Sequence, residues 1–600
     1  MASLSFLATT TSSSSPLHRR HPRKVVPSTT PRRFHTSCEQ VANTTDASGG
    51  DDKGSSILRM DRRNVLLSGL GGGLYGAAGL GLLGVGEPLA AIGAPITIPD
   101  LTKCHKATAD GIGKVECCPP YQDISGAIDF TFPSSSKALR VRKPAHLLSD
   151  EEVAKYKEAY RLMKALPETD PRSFMQQANV HCQYCNGAYY QTGTEDKVLQ
   201  VHYNWFFLPW HRLYLHFHER ILGSLIGDDS FALPFWNWDS GLEGMKIPSF
   251  FTKDTSSPVY DEKRNLNHYP PAIIDFDYSY GDSNPTDVDD VIHKNLLKIS
   301  NAFSETLTKP ELFMGAVLRA GGEINSPGTL ETIHNMAHMW VGPDESPNMD
   351  MGNFYSAGRD PIFYCHHSNV DRMWSIYKNL RGKSTEFDDS DWLDSTFVFV
   401  DEKGQLVRCK VSQTQSTQKL RYTYDTDVEL PWIDKGVRKK VLKAKKKSAD
   451  LALVPVTEFG STSKSLTTII RVLVSRPKKS RTKSEKEEAV EVLVVSGIQV
   501  PANGSSRFDV YVSKPYGDDM AGPDLGELAG YFHHVPHHVK DKEVESKNHE
   551  ADLKLGITKL LEDIDAEATE KVVVSLVPRF GDITVGGVTI QHLNTDTSSA

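Results

Sequence analysis

The chain is predicted to fold as a mainly α core, a helical bundle with long loops around a dinuclear metal site, followed by a C-terminal all-β domain of sandwich or barrel type. Three observations predict it. Apolar residues recur at helical spacing in six stretches before residue 380. Period-two alternation takes over beyond residue 464. Two histidine trios fall in the helical half, His181, His202 and His211, then His334, His338 and His367.

The N-terminus reads as two targeting segments. Up to Arg33 there are six Lys or Arg and no acid amid many Ser and Thr, the composition of an organelle transit peptide, assigned to 1–60. Arg62-Arg63-Asn64-Val65-Leu66-Leu67 then precedes a Gly/Leu-rich run to Gly86, and Ala91-Ile92-Gly93 offers a small-x-small cleavage site. That is a twin-arginine signal over 61–93. A membrane helix is the alternative for this run, but its glycine content and the cleavage site that follows argue for removal, leaving no stable span after processing. A bipartite signal of this kind points to the chloroplast thylakoid lumen. The whole chain carries a formal charge of −8, and without the ten basic and six acidic residues of 1–93 it carries about −12, which excludes nucleic acid as a partner.

A chain of 600 residues is too long for one core. Region 94–379 holds the helical stretches Ser149 to Leu166, Leu199 to Leu225, Val288 to Phe303, Pro310 to Ala320, Leu330 to Val341 and Pro361 to Asn379. The first opens on a capping box, Ser149 with Glu152, and stops at Pro167. Region 380–434 changes texture: TFVFVDEKGQLVRCKV alternates like a strand pair around a Lys-Gly turn, and Tyr422-Thr423-Tyr424 follows. The basic run in 435–464 has the composition of an exposed linker or a surface helix. Region 465–600 reads as five strands, TTIIRVLVS, EVLVVSGIQV, RFDVYVS, KVVVSLV and ITVGGVTI, with one short helix at Lys554 to Ala566.

His334 and His338 lie four apart and so share one helical face, from which both imidazoles can reach a single ion. Phe363, His367 and Asp371 fall at i, i+4 and i+8, placing a packing residue, a ligand and a candidate orienting carboxylate on one face. His366 competes with His367 but is rotated about 100° from that face. Six imidazoles with no carboxylate or thiolate among them suit copper, and two trios suggest two copper ions.

DMGNFYSAGRDPIFYCHHSNVDRMW, with HCQYC and HYNWFFLPWHRLYL, resembles plant polyphenol oxidase, the catechol oxidase and tyrosinase family with a coupled type-3 dinuclear copper centre. The resemblance runs from about Ile96 to the C-terminus. It implies that His181, His202 and His211 hold the first copper and His334, His338 and His367 the second. It also implies that O2 is co-substrate and that phenolic small molecules, o-diphenols foremost, are oxidised to o-quinones as O2 becomes water. Phe354 resembles the aromatic gate above the first copper, and Cys185 the cysteine that forms a thioether with the second ligand, here His202. Four cysteines allow three pairings, and the adjacent Cys117-Cys118 lacks the C-x-x-C spacing of a zinc site. The resemblance selects Cys104 with Cys118 and Cys117 with Cys182. RFDV resembles a KFDV motif that names the family's C-terminal domain, with Arg507 in place of lysine. That domain is expected to cover the copper site with an apolar side chain, making the chain a latent pro-enzyme.

Glu331 and Asn335 resemble the pair that would polarise a water for monophenol hydroxylation. Here only Thr332 and Ile333 separate Glu331 from His334, one residue fewer than the family pattern, so a solvated helix-start glutamate is the competing reading. Cys365 stands where the family usually has alanine. His533-His534-Val535-Pro536-His537-His538 reads as an exposed loop cluster, since Pro536 interrupts any helix. A haemocyanin-like reversible O2 carrier is the alternative function, because it would use the same paired trios. The plastid signals and the lack of linked repeats argue against it.

Overall fold

Ser149 and Glu152 cap α1 (Asp150–Lys164) reciprocally, the serine hydroxyl accepting from the Glu152 amide and the glutamate from the Ser149 amide. This computed structural model describes residues 93–594 except 110–111, 122, 195, 308, 383–387, 434–452, 502–503, 523 and 536–548. The targeting segments through 92 and much of the basic linker lie outside the described residues, as does the whole unit Met1–Gly84; the described residues all fall within the unit Val85–Ala600. Among them no helix is long and apolar enough to cross a membrane.

The core helices continue with α2 (Phe174–Cys185), α3 (Phe207–Leu225), α4 (Val288–Ser304), the short α5 (Pro310–Met314), α6 (Thr329–Val341) and α7 (Ile362–Arg381). α3 packs on α7, and α6 touches both α4 and α7. All eight tryptophans are buried, each withdrawing roughly 200 Å² from water.

Three helix bounds differ from the sequence expectation. α2 was not foreseen. The stretch from Leu199 is irregular as far as Phe206, because Tyr203 adopts φ 60° and the Asn204 side chain binds the His202 carbonyl and the Phe206 amide in place of a helical ladder. α5 stops at Met314 rather than Ala320, since Gly315 turns at φ 110° and a Cβ there would lie 2.8 Å from the Asn204 carbonyl carbon.

Strand β1 (Arg140–Arg142) is held parallel to β4 (Tyr422–Tyr424), while β2 (Thr396–Val400) and β3 (Leu406–Lys410) form the expected antiparallel pair. Pairing β1 with β4 buries an ionic cluster. Glu219 on α3 accepts from Arg140 Nε and Arg142 Nε, both at 2.7 Å, and Asp371 on α7 accepts from Arg212 Nε at 2.5 Å, Arg142 Nη1 at 3.2 Å and Tyr422 at 2.6 Å. Tyr424 donates to the same carboxylate. Burial works to raise both carboxyl pKa values, but the arginines hold Glu219 and Asp371 below their ordinary range.

The C-terminal domain is a sandwich of two sheets. One orders β5 (Ile470–Ser475), β10 (Lys571–Phe580), β7 (Ser506–Ser513) and β8 (Glu527–His534), all antiparallel. In the other, β6 (Ala489–Val500) pairs with β9 (His549–Gly556), with β11 (Thr584–Val585) and with β12 (Gly587–Asn594). One apolar core lies between them, with Val474, Phe508 and Phe532 from the first sheet and Leu493, Leu553 and Ile590 from the second. β8 and β9 exceed the five strands expected, and the helix expected from Lys554 to Ala566 is only Thr558–Asp563. Lys554 and Gly556 belong to β9 instead: Ala551, Leu553 and Leu555 alternate into the sandwich core, and a Cβ on Gly556 would meet the Glu305 carbonyl at 2.5 Å.

Removing the Glu219 charge takes the carboxylate partner from Arg140 and leaves Arg142 only Asp371. Glu219→Gln is expected to cost about 3 kcal/mol or more, read from thermal unfolding of the copper-loaded chain. Because the native pKa of Glu219 lies below its unfolded value, its stabilisation is present above about pH 4 and lost as pH falls through the native pKa, so the difference between the variant and the parent chain should shrink on acidification.

Candidate metal centre

Helix α2 supplies His181, α3 supplies His211, and the irregular loop between them supplies His202; α6 supplies His334 and His338, and α7 supplies His367. All six are buried. Five have Nδ1 against a fixed acceptor. His181 meets the Phe354 carbonyl, His211 the Phe207 carbonyl and His338 the Met351 carbonyl, each at 2.7 Å, while His202 meets Gln200 Oε1 at 3.2 Å and His334 meets Asn335 Oδ1 at 3.0 Å. An acceptor at Nδ1 requires the proton there, which leaves a lone pair on Nε2.

Those lone pairs point at one another. Nε2 of His334 lies 2.8 Å from that of His338 and 3.1 Å from that of His367, and His338 to His367 is 3.4 Å. In the other trio the ligand atoms lie within 4.8 Å of each other, and the buried Nε2 atoms of His181 and His211 find no hydrogen-bond partner among the described residues. Neutral imidazoles converging in a dry interior repel unless a cation sits between them. Burial pushes His181 down to about 3 and His338 down to about 4, and drives His211, His334 and His367 well below the ordinary range, so all are neutral donors at physiological pH. The trios adjoin: the His211 and His367 rings stack with centroids 4.3 Å apart, and His202 faces His334 at 6.1 Å. Both clusters consist of histidine alone, the donor set that suits copper.

His366 is not removed by helical rotation; it stands in the same cluster as His334, His338 and His367. Trp238 distinguishes it from His367, because the indole N–H donates to His366 Nδ1 at 3.1 Å and so places the His366 proton on Nε2. Asp371 does not orient His367. Its oxygens are taken by Arg212, Arg142, Tyr422 and Tyr424, so it ties α7 to α3 and β4 instead. Phe354 stacks on His202 at 4.3 Å, while Phe363 sits between His181 at 5.0 Å and His367 at 4.1 Å.

Around the first trio, the disulfides Cys104–Cys118 and Cys117–Cys182 pin the N-terminal arm beside His181. Cys185 is a buried free thiol, and Gln200 links its carbonyl to the His202 amide and ring. Gln200 and Phe207, whose ring contacts His202, His211, His334 and His367, were not singled out from the sequence. Cys365 is buried as well, and nothing in the structure explains its presence. Glu331 is fully buried rather than a solvated helix-start residue. Its Oε1 accepts from the Tyr203 amide at 2.8 Å, and burial pushes its pKa up to about 8. Asn335 joins His334 to the C-terminal domain, donating from Nδ2 to the His533 carbonyl at 3.2 Å.

His533 and His534 are therefore not on an exposed loop; both are buried on β8, while His537 and His538 lie outside the described residues. Tyr531 and Val535 pack into the core of the helical domain, whereas Phe532 points into the sandwich. The face turned to the core is thus Tyr531, His533 and Val535, not an apolar surface throughout. Arg507 crosses the same seam, reaching the Tyr278 carbonyl at 3.2 Å, Asp277 at 3.3 Å and Met336 Sδ at 3.4 Å.

Two adjoining trios of neutral, inward-facing imidazoles in a helical bundle define a type-3 dinuclear copper protein of the tyrosinase kind. Residues 171–380 match the common central domain of tyrosinase, 386–438 the polyphenol oxidase middle domain, and 462–592 the chloroplastic polyphenol oxidase C-terminal domain. A chloroplastic polyphenol oxidase of Vitis vinifera is 46% identical over 97% of this chain and 96% of its own length, and a chloroplastic (+)-larreatricin hydroxylase of Larrea tridentata is 41% identical over 93% and 94%. The structure of latent apple tyrosinase superposes with a TM-score of 0.70 at 44% identity, covering 78% of this chain and 99% of that one. The chain belongs to the plant polyphenol oxidase family, in its latent form with the C-terminal domain shielding the core. These named relatives are enzymes, not oxygen carriers.

His338→Ala or His211→Ala is expected to lower copper from two toward one per chain and to abolish diphenol oxidation, measured by metal analysis and O2 uptake. Two tightly held zinc ions in the native protein, with no O2 uptake, would overturn the copper reading.

Proposed function

We propose that His181, His202 and His211 hold one copper and His334, His338 and His367 the other, and that the pair oxidises o-diphenols to o-quinones. The convergence of the Nε2 lone pairs supports this reading most strongly. Bound copper supplies the one-electron redox chemistry by which O2 is reduced to water. The chain's own residues do the rest. Carbonyls of Phe207, Met351 and Phe354 keep the rings turned inward, Phe207 and Phe363 exclude water between the trios, and Phe354, stacked on His202, limits how a phenol ring enters above the first copper.

In this reading 94–379 is the catalytic region, 380–434 the extension that closes it, and 465–600 the shield, joined by 435–464. A shield on a short tether has an effective concentration of roughly millimolar, so even weak contacts keep substrate out. The mature enzyme would begin near Ala94 in the thylakoid lumen, supported by the bipartite N-terminal signal.

Catechol oxidation tests the reading: the chain from about Ala94 to Ala600 should be nearly inactive, and trypsin should activate it several-fold with both coppers retained. A truncation ending near Asp434 that folds, keeps two coppers and is no more active than the uncut chain refutes the shield as the block.

Cys185 is proposed to be joined to His202 by a thioether. The S–H and a ring C–H bond are lost, an S–C bond forms, and two protons and two electrons pass to O2. A peptide spanning both residues should resist reductant and weigh about 2 Da less than the sum of its parts, whereas alkylation of Cys185 in copper-loaded protein rejects the bond.

Monophenol hydroxylation is a further proposal, supported by Glu331 and Asn335 and by the hydroxylase named among the relatives. A carboxyl raised to about 8 lies nearer a phenol's pKa than an ordinary one and is the better proton acceptor. Glu331→Gln should lower the rate on tyramine far more than on catechol; equal losses would assign Glu331 a purely structural role.

A further inference from the structure

Four phenols and an imidazole are buried among α1, α3 and α7, and the copper site as described uses none of them. Trp210 precedes the ligand His211 on α3, and their rings lie 4.8 Å apart. From Trp210 the aromatic rings continue outward: to Tyr214 at 5.2 Å, on to Tyr364 at 5.6 Å, to Tyr160 at 6.3 Å and to Tyr156 at 4.9 Å. Every step is within the spacing of aromatic contact. Tyr156 lines a surface cavity with Val141, Lys143, Lys155 and Phe231, and the Lys155 side chain there is exposed. A continuous file of rings thus leads from a copper ligand to solvent.

The polar atoms along this file are joined as well. The Tyr214 hydroxyl donates to the Gln177 carbonyl at 2.5 Å and lies 3.0 Å from the Tyr364 hydroxyl. The Tyr160 hydroxyl lies 3.1 Å from Nε2 of His218, whose ring is stacked flat on Tyr364 at 3.6 Å. Phenylalanine and leucine would fill the same volume with no polar atom to satisfy, so packing alone does not account for this set. Burial keeps the Tyr160 phenol protonated and His218 neutral. Tyr160 therefore has a proton to release, and His218 Nε2 has the lone pair to take it.

We propose that Trp210, Tyr214, Tyr364 and Tyr160 form an electron relay between the copper pair and the surface, which supplies electrons to the oxidised centre when the shield denies it a phenol. In each passage the Tyr160 O–H bond breaks. Its electron moves inward through Tyr364, Tyr214 and Trp210 to the copper pair, O2 being the oxidant of the established activity, and its proton goes to His218 Nε2. A phenol in solution at the cavity then returns one electron through Tyr156, and His218 returns the proton. That phenol leaves as a phenoxyl radical, its own proton passing to water. A phenol that hands its proton to a base as it is oxidised gives up an electron more readily than an indole does, so the oxidising equivalent comes to rest on Tyr160 and not on Trp210. The inference rests on the assignment of His211 as a copper ligand.

The copper-loaded chain from Ala94 to Ala600 is compared with its Tyr160→Phe and His218→Gln variants. Each is reduced, freed of reductant and exposed to O2 without phenol. Electron paramagnetic resonance of the frozen parent should show a tyrosyl signal that added catechol removes, and both variants should lose that signal. Over repeated rounds, peptide mass mapping should find Trp210 gaining oxygen adducts faster in the variants than in the parent. Tyr160→Phe keeps the ring and removes the proton, whereas His218→Gln keeps the phenol and removes its base, so one folded variant, identified by thermal unfolding, is enough. Equal Trp210 oxidation in the parent and a folded, copper-loaded variant overturns the relay and leaves the rings as packing. If His211→Ala keeps two coppers, the ligand assignment has failed instead.

Discussion

Where each imidazole keeps its proton is the constraint on which the rest of the structure depends. Nε2 can serve a metal only if Nδ1 holds the hydrogen, and an acceptor fixed on the far side sets that proton in five of the six ligands. A regular helix has already used its carbonyls, apart from those near its ends or bifurcated along its ladder. The acceptors accordingly come from the carbonyl at the start of α3, from the side chains of Gln200 and Asn335, and from backbone outside the main helices. The segment between α6 and α7 supplies two, the Met351 carbonyl to His338 and the Phe354 carbonyl to His181, so one loop sets a ring in each trio. The long loops that interrupt the bundle are therefore part of the metal site and not merely connections within it.

This constraint explains what was legible in the sequence. His334 and His338 at helical spacing, the capping box at Ser149 and the strand pair from Thr396 to Lys410 are local patterns, each settled by a few neighbouring residues. α2 escaped because it is buried nearly all round, Gln177 and Gln183 included, and so carries no apolar stripe; the Ser173 cap was the one local signal of its start. β8 escaped for a similar reason, its alternation hidden by Gly530, His533 and His534, whose burial depends on a domain remote in sequence. Asp371 was placed on the correct face and given the wrong partners, because Arg142, Tyr422 and Tyr424 reach it only after β1 and β4 pair.

The seam between core and shield is unusually ionic for a buried surface. Arg507, Asp509, Asp277, Lys298 and Arg579 form one connected group there. Charges withdrawn from water recover little net free energy by pairing, so such a group sets the position of a contact more than its strength. Such an interface fixes where the shield sits more than how tightly it is held.

Tyr203 carries a consequence of its own. Backbone at φ 60° favours glycine or asparagine, and a tyrosine there costs roughly 1 kcal/mol that its contacts must offset. Some of those contacts are in the core, where Glu331 clasps its amide, and others are in the shield, where its ring meets His549 and its hydroxyl reaches His533 and His534. While the shield is in place, backbone cost and side-chain gain agree on one conformation. Without the shield only the core contacts remain to offset that backbone cost, so the loop that bears His202 is the part of the copper site whose conformation is tied most directly to the shield.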